Sequence, residues 1–117
     1  MKFISLLAAG LLGACAVATA AAADDHLLAD EAGMTLYTFD NDGENVSNCS
    51  GGCARSWPPY LAEDGAAAHD GLSVFQRADG RAQWAYEGQP LYYWQGDSRP
   101  GQANGDGVGG VWHVVER

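Results

Sequence analysis

The sequence has almost no lysine and little positive charge of any kind. Lys2 is the single lysine in 117 residues, and the six basic residues stand against fifteen acidic ones, for a formal net charge of −9. A protein that binds nucleic acid needs a patch of lysine and arginine that displaces the counterions of the phosphates. We therefore expect no nucleic-acid partner.

Motifs that would identify a common enzyme or cofactor site are also missing. The sequence has no Gly-x-Ser-x-Gly nucleophile elbow, no Cys-x-x-Cys-His haem attachment sequence and no four-ligand zinc pattern. A Gly-rich stretch at 105–110 precedes a predicted strand, so it lacks the following helix whose N-terminus would hold a phosphate. We therefore expect a protein without a cofactor that is not an enzyme.

The main apolar run is too short to cross a membrane and lies at the N-terminus. Residues 3–14 follow Lys2 and have the length of the apolar part of a signal peptide. Residues 1–23 are therefore interpreted as a signal peptide and residues 24–117 as one mature domain. Two processing routes remain open. Small residues at 18–23 favour ordinary cleavage before Asp24, whereas Leu12-Gly13-Ala14-Cys15 resembles a lipobox that would acylate Cys15.

The processing of the N-terminal segment determines the compartment in which the protein is expected. The protein is expected to be exported, as a periplasmic protein, a secreted protein or a membrane-anchored lipoprotein, and to meet a membrane only through a lipid on Cys15. Its mature domain has five arginines, no lysine and fifteen acidic residues, so its formal charge is five minus fifteen, or −10. This charge favours solubility, and the alternative is a surface made for cations or a basic partner. The expected partner is an envelope component or a small ligand.

Two cysteines remain in the mature domain, in Cys49-Ser50-Gly51-Gly52-Cys53. In an oxidising compartment such a pair is expected to form a disulfide, which would stabilise the domain by about 2 kcal/mol through the entropy of the small loop. The alternative is a pair of thiolates that binds copper together with a histidine. The candidate histidines are His26, His69 and His113.

A second alternative for metal binding is an acidic turn. Asp40-Asn41-Asp42-Gly43-Glu44 resembles the first half of a calcium loop, because calcium prefers closely spaced oxygen ligands and a glycine at the bend. The glutamate expected at the twelfth position is Gly51. The turn is therefore interpreted as a solvated acidic surface, with calcium at Asp40 and Asp42 as the alternative.

An internal repeat organises the mature domain. Residues 33–60 (copy one) match residues 88–115 (copy two) without a gap, at an offset of 55. Each copy opens with Gly-x-x-Leu-Tyr-x-aromatic-x-x-Asp and closes on a tryptophan. The motif residues are Tyr37, Phe39, Asp42 and Trp57 in copy one and Tyr92, Trp94, Asp97 and Trp112 in copy two. We expect the copies to pair about a pseudo-twofold axis, because each has too few strands to bury its own aromatic face.

The repeat also predicts local structure. Alternation along the opening strand places the tyrosine and the next aromatic residue on one face and the leucine on the other. The aspartate follows the strand and is expected to accept backbone N–H groups of the turn. Most aromatic side chains are expected in the core, with Tyr60 and Tyr93 as the candidates for an exposed binding surface.

The predicted fold is all-β or β-dominated, a small single domain of about six short strands from two tandem repeats. The predicted strands cover 27–29, 34–39, 72–76, 83–86, 91–94 and 111–115, with an Asp-Gly hairpin turn at 78–81. One short helical turn is predicted over Ser50–Ser56, ended by Pro58-Pro59.

With these residues in view, the chain resembles the secreted-repeat family of predicted bacterial lipoproteins that is described by a Tyr-x-(Phe/Trp/Tyr)-x-x-Asp motif. The segments 37–42 and 92–97 both fit this motif, and Cys53-Ala54-x-x-Trp57-Pro58-Pro59 also resembles the family. The likeness covers nearly the whole mature chain. The resemblance implies no particular activity. The predicted function is a non-enzymatic, extracytoplasmic binding or structural module of the cell envelope. An extracytoplasmic metal-binding protein is the alternative.

Overall fold

The computed structural model describes residues 26–117, and the predicted signal peptide with Cys15 lies outside them. These residues form five short strands, one α-helical turn and one 3-10 turn, so the fold is β-dominated as predicted. In chain order the elements are β1 (Tyr37–Phe39), α1 (Gly52–Ser56), β2 (Leu72–Gln76), β3 (Ala82–Tyr86), β4 (Gln89–Pro90), a 3-10 turn (Val108–Gly110) and β5 (Trp112–Val114). Strands β1 and β5 form one antiparallel sheet, and β2, β3 and β4 form another in that order.

Four predicted strands are shorter in the structure than in the prediction. The strands predicted over 34–39 and 111–115 are reduced to β1 and β5, and the other two are not continuous strands. Residues 27–29 form only isolated bridges, and of residues 91–94 only Tyr92 is bridged. Prolines at 58, 59 and 90 surround Tyr92, and because a proline has no N–H to donate, it interrupts a continuous ladder. The predicted hairpin of β2 and β3 is confirmed. Its turn is closed by the N–H of Arg77, which donates to the carbonyl of Arg81 at 2.8 Å.

The two copies exchange their closing strands. Strand β5 closes copy two but pairs with β1 of copy one. Residues 57–61 close copy one but bridge to Tyr92 and Gln83 on the side of copy two. At the centre, Tyr37 and Tyr92 occupy the same position of the repeat, and their backbones exchange hydrogen bonds of 2.8 and 2.9 Å. The pairing of equivalent residues confirms the predicted pseudo-twofold axis.

Aromatic rings from both copies pack together at this axis. Trp57 and Trp112 lie face to face with their ring centroids 3.8 Å apart. Phe39 stacks on Trp112 at 4.2 Å, and Trp94 takes the equivalent place on Trp57, also at 4.2 Å. The two motif tyrosines meet these tryptophans edge-on at 5.3 and 5.2 Å. Such pairs contribute about 0.5–1.5 kcal/mol each beyond the burial of their area.

The opposite face of the opening strands is aliphatic. Leu36 and Leu91, which are equivalent in the repeat, are fully buried in a second cluster with Leu28. Tyr37 and Tyr92 belong to the aromatic cluster instead. The predicted alternation of faces is therefore confirmed in both copies.

Backbone pairing shows that the repeat is longer than the sequence match. The carbonyl of His26 accepts from the N–H of Arg117 at 2.8 Å, and the carbonyl of Ala82 accepts from the N–H of Ala62 at 3.0 Å. Residues 26–62 are thus equivalent to residues 82–117. The segment between them, 63–81, contains β2 and is an insertion that separates the two copies.

Candidate functional site

The tyrosine and the aspartate of the repeat motif form hydrogen bonds between the two copies. The Tyr37 hydroxyl donates to Asp97 Oδ2 at 2.6 Å, and the Tyr92 hydroxyl donates to Asp42 Oδ2 at 2.7 Å. Each bond thus joins the tyrosine of one motif to the aspartate of the other. Because the arrangement is reciprocal, the tyrosine-to-aspartate spacing that both motifs share has its structural effect across the axis. These four residues therefore have a structural role, because they connect the two copies.

The second oxygen of each motif aspartate holds a loop. Asp42 Oδ1 accepts from the backbone N–H of Asn48 at 2.7 Å, and Asp97 Oδ1 accepts from that of Asn104 at 2.9 Å. The predicted capping role is confirmed, although the donors lie six and seven residues after the aspartates. The donor of copy two therefore lies one position later in its loop, which the ungapped sequence match does not reveal.

Burial sets the protonation of this network. Burial raises the pKa of Tyr37, and its hydrogen bond to Asp97 raises the pKa further. Burial likewise raises the pKa of Tyr92. The pKa of Asp42 is raised by burial, against the opposing effect of its bonds from Asn48 and Tyr92. Both phenols therefore remain protonated donors at neutral pH.

A buried arginine distinguishes copy one from copy two. Arg77 is 5% exposed, and its guanidinium donates to Gln83 Oε1 at 2.8 Å and to the Cys49 carbonyl at 3.0 Å. It also donates to Ser47 Oγ and to Asp79 Oδ2, each at 3.2 Å. Sequence analysis did not single out this residue. The signal available was the alternation in β3, which directs the polar Gln83 to the same face as the buried Ala85.

The cysteine pair forms the predicted disulfide between Cys49 and Cys53. Because the two sulfurs are bonded to each other, they are not the pair of thiolates that the copper alternative requires. Among residues 26–117, no group of three or more His, Cys, Asp or Glu side chains is placed to hold a metal ion. Of the candidate histidines, His69 lies 3.4 Å from Asp70 and His113 lies 3.0 Å from Asp40.

The acidic turn proposed for calcium contains two carboxylates with different partners. Asp40 is exposed and contacts His113, whereas Asp42 faces the hydrogen-bond network described above. Both line a depression of about 370 Å³ together with Glu44 and Glu87. Both carboxylate oxygens of Asp42 already accept hydrogen bonds, from Asn48 and Tyr92. The capping role therefore explains the position of this side chain in the turn.

One concave surface is an open groove of about 530 Å³, here called the aromatic groove. Its floor consists of buried and half-buried apolar residues, together with one exposed leucine: Leu28, Tyr60, Leu61, Leu72 and Trp84. Its rim consists of charged or titratable residues: Asp30, Glu31, Glu63, His69, Asp70 and Arg117. Residues from copy one, from the insertion and from β3 thus meet in one place.

The rings of the aromatic groove pack against neighbouring rings. Tyr60 and Trp84 lie with their centroids 6.2 Å apart, and His69 meets Trp84 edge-on at 5.5 Å. Tyr93 packs edge-on against Tyr60 at 5.6 Å, and its hydroxyl donates to Asp30 Oδ2 at 2.8 Å. Tyr60 and Tyr93, predicted to be the exposed aromatics, are therefore both half-buried, and Tyr60 lines the groove.

Sequence analysis expected most aromatic residues in the core and did not name Trp84 as a candidate for the surface, whereas the structure places Trp84 in the groove. The reason is the alternation along β3, in which Gln83 and Ala85 are buried and Trp84 faces the opposite side. Trp84 therefore remains half-buried, whereas Trp57 and Trp112 are only 5% exposed.

Comparison with known protein families assigns the chain. The model of a family of secreted repeats of unknown function matches residues 18–60 and 73–116, that is, both copies of the repeat. The chain belongs to this family. No curated protein and no solved structure matches the chain significantly. Family membership and the disulfide together indicate an extracellular protein. No helix within residues 26–117 combines the length and the apolarity needed to span a bilayer.

Proposed function

We propose that the protein is a binding module of the cell envelope, not an enzyme, and that the aromatic groove is its ligand site. The observation that carries the proposal is the combination of an aromatic floor and a charged rim in one open concavity. Ligand sites are typically concave, mainly apolar and supplied with a few polar groups that orient the ligand. The groove is concave and combines apolar and aromatic side chains with charged ones, and its volume of about 530 Å³ suits a small molecule or a short peptide segment.

A second cavity is less suited to ligand binding than the aromatic groove. This cavity lies over the β2–β3 hairpin and has a volume of about 650 Å³, but Phe75 is the single aromatic residue that lines it. The aromatic groove offers Tyr60 and Trp84, which supply large contact areas at a small cost in side-chain entropy. The groove is therefore the better-equipped binding surface.

The contacts of the histidines support a role without catalysis. His69 and His113 contact carboxylates, and within residues 26–117 neither ring forms a hydrogen bond to a serine hydroxyl. A nucleophile activated by a neighbouring base would need such a contact. The disulfide also holds both mature cysteines as structural groups.

The test of the binding role is a fragment screen followed by amide NMR spectra of the mature chain. Ligands that bind as proposed will shift the amide signals of Tyr60, Trp84 and their neighbours and will leave those of β5 unchanged. Shifts confined to other surfaces, or none from a broad fragment set, would contradict the proposed site. In the same preparation, intact mass will distinguish a chain that starts near Asp24 from one acylated at Cys15, and so a released protein from an anchored one.

A further inference from the structure

The aromatic groove is strongly unbalanced in charge. Four carboxylates line it, from Asp30, Glu31, Glu63 and Asp70, and Arg117 is the single arginine, so with a neutral histidine the formal charge is one minus four, or −3. Within residues 26–117, neither Glu31 nor Glu63 has an arginine or histidine nitrogen within 4.0 Å, whereas Asp70 contacts His69. Two rim carboxylates are therefore available to an incoming cation.

The apolar part of the groove is also suited to a cation. The electron-rich faces of tyrosine and tryptophan attract ammonium and guanidinium groups that approach within about 6 Å of the ring centre. Tyr60 and Trp84 line the groove with their ring planes inclined at 35°. An apolar body that bears a positive charge can therefore contact the rings and the carboxylates at the same time.

Tyr60, which lines the groove, and Tyr93, which packs against Tyr60, both lie in the negative potential of these carboxylates. Burial raises the pKa of Tyr60, and the charges of Glu31 and Asp30 raise it further. The pKa of Tyr93 is raised by burial, by its bond to Asp30 and by the charge of Glu31. The same negative potential that opposes formation of a phenolate favours a bound cation and disfavours a bound anion.

We propose that the aromatic groove binds an organic cation, an ammonium or guanidinium group carried on an apolar body, with the body against Tyr60 and Trp84 and the charge facing the rim carboxylates. This inference rests on the proposed function and specifies the ligand class of the same site. The charge of the whole mature domain, −10, adds a longer-range attraction for such ligands at low ionic strength.

The experiment compares three small molecules of similar size that differ in charge: phenethylammonium, phenethyl alcohol and phenylacetate. Each is titrated into the mature chain, and the amide signals of the groove report the site and the dissociation constant. We expect phenethylammonium to bind about tenfold more tightly than the alcohol, and phenylacetate to bind most weakly. The advantage of the cation should decrease with added salt, because the rim carboxylates are exposed.

Two double variants separate the groove from the general acidity of the protein. Glu31→Gln with Glu63→Gln removes the two free rim carboxylates and should weaken phenethylammonium binding about fivefold or more. Glu44→Gln with Glu87→Gln removes the same charge from the separate depression and should change binding by less than about twofold. All four side chains are exposed, so these variants are expected to fold.

The outcomes that oppose the proposal are distinct. Equal weakening by both double variants would show general attraction to an acidic surface and would overturn the inference. Binding of the alcohol or phenylacetate at the groove as tight as that of the cation would overturn the cation preference and leave the proposed function intact. If no probe shifts a groove amide, the cation inference fails. The proposed function fails as well only if the broader fragment screen also leaves the groove unchanged.

Discussion

Replacing Tyr37 by phenylalanine removes one oxygen that serves both copies of the repeat. This hydroxyl donates to Asp97 at 2.6 Å and accepts from the N–H of Gly105 at 3.1 Å, both in the buried interior. A hydrogen bond to a charged group contributes about 1.5–3 kcal/mol, and a buried N–H left without a partner costs about 1–3 kcal/mol. Asp97 keeps its bond from Asn104, so we expect a loss near the lower ends of both ranges, about 3 kcal/mol in total.

The assay is equilibrium unfolding in denaturant, followed by the fluorescence of the buried tryptophans. The free energy of unfolding of a domain of this size is about 5–15 kcal/mol, so the expected loss is easily resolved. Tyr86→Phe is the matched control, because Tyr86 is half-buried and its hydroxyl has no hydrogen-bond partner within residues 26–117. It should cost less than about 0.5 kcal/mol.

Tyr92→Phe should have an intermediate effect. Its hydroxyl donates to Asp42 at 2.7 Å and also lies 2.6 Å from Ser47 Oγ, a neighbour that can reorient towards the carboxylate. We expect a loss of about 2 kcal/mol. If Tyr37→Phe costs no more than Tyr86→Phe, the hydrogen bonds between the copies do not stabilise the fold and the reasoning is wrong.

Further predictions concern the other supports of the fold. Replacing Cys49 and Cys53 together by alanine should lower the free energy of unfolding by about 2 kcal/mol, as measured in denaturant; an unchanged midpoint would contradict the entropic argument. Arg77→Met should lower the free energy of unfolding by about 3 kcal/mol, because several buried acceptors lose a charged donor. The same change at the exposed Arg81 should lower it by less than about 1 kcal/mol. Equal losses for the two variants would contradict the structural role of Arg77. In the unfolded chain the motif tyrosines ionise with the ordinary pKa of 10.0, whereas in the folded chain they stay protonated above this pH. Their contribution to the free energy of unfolding is therefore complete below pH 10 and should fall as the pH rises. A tyrosinate absorbance of the native protein that titrates at the ordinary pH without loss of stability would contradict this. A chain cut within residues 63–68 should yield halves that are unfolded alone and fold on mixing, by circular dichroism, because the closing strands are exchanged; one half that folds cooperatively alone would disprove this.

Local features of the fold could be predicted from the sequence. The Asp-Gly turn and the alternating residues on either side of it specify the β2–β3 hairpin within about fifteen residues of chain. The opening strand of each copy likewise separates its tyrosine and leucine by simple alternation. These structures depend on neighbours in the chain, so the sequence is sufficient for them.

The partners of the motif residues could not be predicted in the same way. Tyr37 and Asp97 are sixty residues apart, and Arg77 meets the carbonyl of Cys49 across twenty-eight. Nothing in a local pattern specifies which of fifteen acidic residues a given tyrosine will meet. The duplication predicts that the copies pair, but exchange of the closing strands is a property of the three-dimensional packing. The groove was missed for the same reason, since residues near 30, between 60 and 72, at 84 and at 117 form it together.

The insertion between the copies has a consequence for the number of ligands. Two copies related by a pseudo-twofold axis would ordinarily present every surface twice. Residues 63–81 break this symmetry, because they add β2 to the side of copy two alone and supply Leu72 and His69 to the aromatic groove. A duplicated protein of this kind is therefore expected to bind with a stoichiometry of one ligand per chain, and its titrations should fit a single class of sites.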